Sequence, residues 1–210
     1  MSEQEGVIKF SLTHQTLDRP VNASVLSELM VWRDLSRRLQ WLGQDPQRYG
    51  GLGYGNISAR ESSQQFIISA SQTSGVITAE PQHFARVLVS DLEQNHIDSE
   101  GMLPPSSESM THAALYQCSD QVSWILHSHC PEIWQHSEAL GLAATAAEVP
   151  YGTPEMAEAV QQLYRDQANP SQGIFVMKGH QDGVVSYGST AKQAISTMLD
   201  CYGRALLISA

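Results

Sequence analysis

Positive charge and long apolar runs are both scarce in this sequence. Lysine and arginine together number 12 against 22 aspartates and glutamates, which gives the 210-residue chain a formal net charge of −10. Nonspecific binding to nucleic acid or to anionic lipid needs a positive surface. No segment approaches the roughly 20 apolar residues of a membrane span. We therefore expect neither a nucleic-acid nor a membrane partner.

Cysteine is also scarce, with residues Cys118, Cys130 and Cys201 far apart and without a CxxC pair. An odd number of widely spaced cysteines is typical of reduced thiols and not of a disulfide framework. The first residues, MSEQEGVIKF, show neither the basic start nor the apolar stretch of a signal peptide. These features predict a cytoplasmic protein.

Apolar residues are present in ordinary proportion, since 41% of the chain is hydrophobic and 16% is charged. This balance allows a substantial core. We find no internal repeat, no low-complexity tract and no change of composition that would mark a linker. The sequence therefore predicts one domain over residues 1–210.

Short apolar, β-branched runs separated by turn residues predict a series of strands: NISAR, FIISAS, RVLVSDL, WILHSHC, GIFVMKGH and GVVSYG. Helical patterns come before, between and after them. Asn22 or Ser24 is the expected cap of the first helix, the serines of PPSSES are expected to enter the next, and Thr153 is the expected cap of TPEMAEAV. Helices around a run of strands joined by short turns predict an α/β fold with three α/β/α layers and a central, largely antiparallel sheet.

Two histidines, His127 and His129, stand one residue apart at the end of the strand WILHSHC. Side chains two residues apart leave the same face of a strand, so both imidazoles are expected to point one way and Ser128 the other. Such a pair supplies two ligands for a divalent metal, and His180 in KGHQDG is the candidate for the third. The alternative is one buried, hydrogen-bonded histidine beside an exposed one.

A glutamate and several small polar residues are further candidates. Glu108 could bind a metal or act as a general base, whereas a simple favourable charge at a helix start is the alternative. His112, one helical turn further, is a rival ligand but is expected to pack below the site. Hydroxyls and backbone amides in PSSES and in two glycine-containing turns could bind an anion, with helix capping as the alternative for the serines. The anion-binding candidates are Gly55, Asn56, Ser74, Gly75, Ser106 and Ser107.

Taken in order, GNISAR, TSG, PSSE, HSH and KGHQDG resemble the class II aldolase/adducin family from about residue 25 to the C-terminus. The resemblance implies an α/β/α domain that assembles as a homotetramer with active sites between subunits. It places the family's metal ligands on His127, His129 and His180, and its acid/base glutamate, a ligand in some members, on Glu108. It also places phosphate-binding positions on the six anion-binding candidates named above.

The resemblance implies a metal-dependent lyase of the aldolase type that acts on a small hydroxy-carbonyl or sugar-derived substrate, phosphorylated or not, through a metal-stabilised enediolate. Epimerisation, dehydration and decarboxylation pass through the same kind of intermediate and stay open as alternatives. Zinc (Zn2+) is the first choice of metal, and Mn2+, Co2+ and Fe2+ also suit these ligands. Two other classes stay open, a noncatalytic binding module like the adducin head and a zinc-stabilised structural domain.

One feature of the family is missing from this chain. The sugar-phosphate aldolases carry a longer insert after the histidine pair, with a tyrosine that donates a proton across a subunit interface. The corresponding stretch here, QHSEALGLAATAAE, contains no tyrosine. We therefore expect that this proton donor is either absent or replaced by a different group.

Overall fold

The computed structural model describes residues 6–167 and 171–209 of the chain. Strands and helices alternate along most of this length. Eleven strands and five α-helices are found within the described residues: β1 (Ser11–Thr16), α1 (Leu26–Arg38), β2 (Gly43–Gln44), β3 (Gly53–Tyr54), β4 (Asn56–Arg60), β5 (Phe66–Ser69), β6 (Phe84–Asp91), β7 (His96–Gly101), α2 (Ser109–Cys118), β8 (Trp124–His129), α3 (Pro131–Gln135), β9 (Ala143–Ala144), α4 (Pro154–Asp166), β10 (Gln172–Val176), β11 (Gly183–Gly188) and α5 (Ala191–Ser209).

Nine of the strands form one mixed sheet in the order β1-β7-β6-β5-β4-β8-β11-β10-β9, while β2 and β3 form a separate small pair. Within the large sheet, six neighbouring pairs are antiparallel. The two parallel pairs, β1 with β7 and β9 with β10, lie at the two edges. The predicted central, largely antiparallel sheet is confirmed.

Helices cover both faces of this sheet, as the predicted α/β/α layering requires. One hydrophobic cluster joins α1, α3 and α5 to one face, through residues such as Leu29, Ile133 and Met198. The other cluster joins α2 and α4 to the opposite face, through residues such as Leu115 and Val160. The central strands β8 and β11 are buried along their whole length.

Helix starts agree only in part with the sequence predictions. Thr153 caps α4 by accepting a hydrogen bond from the Met156 amide at 3.3 Å, as expected. The caps predicted for α1 are wrong, because the helix begins at Leu26 after Val25, which makes no side-chain capping bond. Ser106 and Ser107 of PPSSES lie in the turn before α2, and the last serine of this stretch, Ser109, is the first residue of the helix. Among the described residues, no helix combines the length and apolarity that a membrane crossing requires.

Candidate metal centre

His127 and His129 leave β8 on the same face of the sheet. Their ring centroids lie 5.1 Å apart, whereas the hydroxyl of Ser128 lies on the other face, 3.5 Å from the sulfur of Met198 in α5. The preceding apolar residue Ile125 packs with α2 and α4, on the histidine side of the sheet. Alternation along a strand therefore directs both imidazoles to one side, as the sequence predicted.

His180 reaches this pair from the turn that joins β10 to β11. Its amide donates to the carbonyl of Met177 at 3.1 Å, and the amide of Gly183 donates to the His180 carbonyl at 3.0 Å. Pairing of β11 with β8 sets Gly183 opposite His129. The sheet register thus brings a turn far along the sequence to the end of β8.

The three imidazoles form a compact, buried set. The ring centroid of His180 lies 5.0 Å from that of His127 and 4.8 Å from that of His129. One nitrogen from each ring lies within 4.8 Å of the other two, and all three side chains are buried. Nitrogens that share one metal ion at about 2 Å each lie up to about 4 Å apart. The arrangement in the structure is close to that requirement.

Glu108 lies beside this set, directly before the first turn of α2. Its Oε1 atom is 3.4 Å from Nδ1 of His180, and its Oε2 atom accepts a 2.8 Å hydrogen bond from the hydroxyl of Thr111. The side chain is 1% exposed. A carboxylate in this position could orient an imidazole, bind a metal directly or exchange a proton with a bound molecule.

The protonation states of His129 and Glu108 suit metal binding. Burial, with help from the charges of His180 and His127, lowers the pKa of His129 well below its ordinary value. Burial alone would raise the pKa of Glu108, but the charge of His127 and the contact with His180 outweigh it and lower the pKa to about 2. Metals bind neutral imidazole and ionised carboxylate. His129 and Glu108 are therefore held in their ligating forms.

His112, the rival ligand, packs beneath this set. Its Nδ1 atom lies 2.7 Å from the hydroxyl of Ser58, and the same hydroxyl lies 2.7 Å from that of Tyr116. Burial, with the charge of His127 adding to it, lowers the pKa of His112 to about 3. A neutral histidine hydrogen-bonded to a serine of the sheet has a packing role, in keeping with the sequence expectation.

Five of the six predicted anion-binding residues line one small polar pocket. No ionisable side chain belongs to its lining among the described residues. Hydroxyls, side-chain amides and backbone N–H groups would therefore hold an anion there. The lining consists of Gly6, Gly53, Gly55, Asn56, Ala70, Ser71, Gln72, Ser74, Ser106 and Ser107.

Asn56 connects this pocket to the imidazoles. Its amide nitrogen lies 3.3 Å from Nδ1 of His127, and its Oδ1 atom is buried without a hydrogen-bond partner among the described residues. A buried polar atom in that state is a natural contact for a bound molecule.

The sixth candidate, Gly75, lies outside the pocket lining, against the side chain of Gln44.

The sequence analysis missed an aromatic wall around the histidines. Tyr49 and Tyr54 contact the ring of His129 at centroid distances of 4.5 and 5.4 Å, and Tyr151 stacks on His180 at 4.6 Å. Two tyrosines stand in the glycine-rich turn QRYGGLGYG. The presence of tyrosines in such a turn is the signal that could have identified the wall.

Comparisons with known proteins concern the fold that carries this site. The family model described as "Class II Aldolase and Adducin N-terminal domain" matches residues 45–202. Among solved structures, L-fuculose-1-phosphate aldolase from Thermus thermophilus superposes with a TM-score of 0.63 at 17% sequence identity, over 87% of this chain and 91% of the other.

Two further solved structures show the same fold. The N-terminal class II aldolase domain of a conserved protein from Thermoplasma acidophilum gives a TM-score of 0.59 at 16% identity, over 93% of this chain and 98% of the other. A sugar-phosphate aldolase from Thermotoga maritima gives 0.61 at 14% identity, over 88% of this chain and 93% of the other. At these identities the likeness establishes the fold alone.

Proposed function

The chain belongs to the class II aldolase and adducin family, and from this premise we propose that it is a divalent-metal-dependent lyase of the aldolase type. Its substrate would be a small hydroxy-carbonyl compound of the kind derived from sugars. The observation that carries the proposal is the compact buried set of His127, His129 and His180 with Glu108 against it. A noncatalytic module has no need of a buried carboxylate beside three imidazoles.

The donor set fits a divalent metal. Three imidazoles and one carboxylate suit Zn2+ first and Mn2+, Co2+ or Fe2+ as well. His127, His129 and His180 would hold the ion, with Glu108 as the adjoining oxygen donor. When bound, such an ion supplies Lewis acidity that favours negative charge on neighbouring substrate oxygens.

The remaining chemistry belongs to the protein's own side chains. Glu108 would take up and return the proton at the reacting carbon or hydroxyl, and the Thr111 hydroxyl fixes the orientation of its carboxylate through the 2.8 Å hydrogen bond. The pocket of Asn56, Ser106 and Ser107 would anchor an anionic end of the substrate, and Asn56 reaches His127 directly. A substrate bound both at the metal and in this pocket is aligned for reaction next to the carboxylate of Glu108.

We also propose that the chain assembles as a homotetramer. The resemblance to the class II aldolase/adducin family implies this assembly. The apolar end of α5 supports it, because Leu207 is 80% exposed there with Leu206 and Ile208 beside it. A contiguous exposed apolar patch marks a site of interaction with another protein surface.

The test is turnover of a substrate panel by the zinc-loaded protein and its Glu108→Gln variant. Phosphorylated ketoses and hydroxy acids would be offered, and carbonyl products of bond cleavage would be detected by mass spectrometry. We expect the variant to keep most of its metal but to lose about 10²- to 10⁴-fold in turnover, the usual contribution of a general acid/base. Unchanged turnover in a variant of equal metal content would remove Glu108 from the mechanism.

A further inference from the structure

A cationic side chain lies one aromatic ring away from the candidate ligand His129. The guanidinium carbon of Arg48 is 4.9 Å from the ring centroid of Tyr49 and 5.1 Å from that of Tyr54. Both rings also contact the His129 imidazole. Arg48 therefore belongs to the surroundings of the metal centre.

The loop that carries Arg48 is held in an unfavourable backbone conformation. Tyr49, Gly50 and Gly51 have consecutive positive φ angles of 49°, 67° and 78°, and a positive φ is disfavoured for a bulky residue such as tyrosine. The Tyr49 hydroxyl fixes the loop by donating to Oδ2 of Asp182 at 2.6 Å and accepting from Nη2 of Arg48 at 2.6 Å. Strain of this kind persists where the surroundings impose it, and it is concentrated at functional sites.

The hydrogen-bonding capacity of Arg48 is largely unused. A guanidinium has five N–H donors, and the bond from Nη2 to Tyr49 is the one hydrogen bond that Arg48's side chain makes within residues 6–167 and 171–209. The side chain is only half-buried. Its other N–H groups could therefore donate hydrogen bonds to an anionic partner without breaking the contact that positions the loop.

The two anion-binding features flank the imidazoles at different places. The neutral pocket contacts His127 through Asn56, whereas Arg48 adjoins His129 through the tyrosines. One substrate that chelates a metal on the histidines could therefore extend one group toward each feature. The planar donor fork of arginine matches a carboxylate, which it binds through two parallel hydrogen bonds.

We propose that Arg48, held by Tyr49 and Asp182, forms a carboxylate-binding subsite on the His129 side of the centre. The substrate class is thereby narrowed to hydroxy-carbonyl acids, which carry a carboxylate in addition to the group anchored near Asn56. This inference rests on the proposed function, because the carboxylate is positioned by chelation of the neighbouring oxygens.

The experiment compares two small chelating acids by isothermal titration calorimetry of the zinc-loaded protein. Glycolate carries one carboxylate beside its hydroxyl, and tartronate carries a second, which is the group expected at Arg48. We expect the wild type to prefer tartronate, and Arg48→Gln to reduce the tartronate-to-glycolate affinity ratio by about tenfold, the typical loss of a charge-assisted hydrogen bond. Arg48→Lys keeps the positive charge but loses the planar pair of N–H donors, and it should reduce the tartronate-to-glycolate affinity ratio less than Arg48→Gln does. This variant replaces Arg48→Gln in the experiment if Arg48→Gln does not fold.

Lys9 offers a matched control within the same chain. Its Nζ atom lies 3.8 Å from the ring centroid of Tyr151, and that ring stacks on His180. Lys9→Gln thus removes a cation that is also one aromatic ring from a candidate ligand, and the affinity ratio should stay at the wild-type value.

The outcomes separate the subsite from the function on which it rests. If the tartronate-to-glycolate affinity ratio is unchanged in the Arg48 variants, or falls in Lys9→Gln instead, the Arg48 subsite is wrong. The proposed metal-dependent function is not affected by that result. Failure of the protein to load zinc, or of both acids to bind the loaded protein, overturns the proposed function and the subsite together.

Discussion

His112 lies beneath the three imidazoles, fully buried and hydrogen-bonded to Ser58. Its surroundings favour the neutral ring, because burial lowers its pKa from 6.5 to about 3. The unfolded chain binds a proton on this residue below pH 6.5, while the folded chain resists it down to about pH 3. Neutral His112 therefore contributes stability above pH 6.5, and this contribution is lost as the pH falls toward 3.

We predict that the unfolding free energy of His112→Asn depends less steeply on pH below 6.5 than that of the wild type. Each pH unit below 6.5 should remove up to about 1.4 kcal/mol from the unfolding free energy of the metal-free wild type through this residue. The variant should lose that part of the slope and keep the part due to His129, whose pKa is lowered in the same direction. Urea denaturation between pH 7 and pH 4 in the presence of a chelator measures this; parallel curves would contradict the assignment.

Residue patterns were sufficient to predict the histidine set but not its walls. His127 and His129 share a face by strand periodicity alone, and the ordered motifs added His180 and Glu108. The contact of Tyr49 with Asp182 joins residues 133 positions apart, and no local pattern encodes it. The hydrogen bond that fixes Tyr49 in this wall could therefore not be predicted from the sequence.

Secondary-structure elements meet closely at Gly55, where β3 passes into β4. This glycine has a φ of +68°, and a Cβ atom there would lie 2.8 Å from the Trp41 carbonyl oxygen and 3.0 Å from that of His127. These two oxygens belong to the backbone, so they cannot move away from an added Cβ atom as the end of a flexible side chain could. The next residue, Asn56, contacts His127. A displacement of the backbone at Gly55 would therefore also displace Asn56 relative to this histidine.

We predict that Gly55→Ala is more destabilising than Gly141→Ala, although both glycines have a φ of +68°. Gly141 has no atom within 4 Å of its Cβ position, so its substitution carries only the backbone cost of about 1–2 kcal/mol. Gly55→Ala adds the carbonyl contacts and should cost roughly 2 kcal/mol more, within the range of overpacked sites. Equal losses of unfolding free energy in urea would show that crowding at Gly55 has no effect.

Elements with strong internal patterns were the predictable ones. The buried central strands and the capped helix α4 agree with the sequence, since apolar runs and a Thr-Pro start are local signals. Strand β1 was not predicted, because SLTHQT is an exposed edge that is paired in parallel with β7, far along the chain. Its conformation depends on a partner that the local sequence does not specify.

On the scale of the whole molecule, apolar surface is concentrated at the end of the last helix. Leu206, Leu207 and Ile208 are exposed in the single chain, and Leu199 is exposed two turns earlier on α5. Burying such a surface against another copy would be favourable at about 25 cal/mol per Å² of apolar area.

We predict that light scattering after size-exclusion chromatography gives four times the 23.1 kDa chain mass. The double variant Leu207→Ser/Ile208→Ser should shift the population to smaller species. Ile77→Ser is the control, because Ile77 is 76% exposed but lies outside this helix, and it should leave the mass unchanged. A monomeric wild type at micromolar concentration would contradict the proposed assembly.

The most direct test of the central claim is the metal content of the untagged protein, measured by elemental mass spectrometry beside the His127→Ala/His129→Ala double variant. We expect about one divalent ion per chain in the wild type, the stoichiometry of a single three-histidine site, and loss of that ion from a double variant that still folds. An ion retained in full by the double variant, or no ion in the wild type after incubation with zinc or manganese, would contradict it.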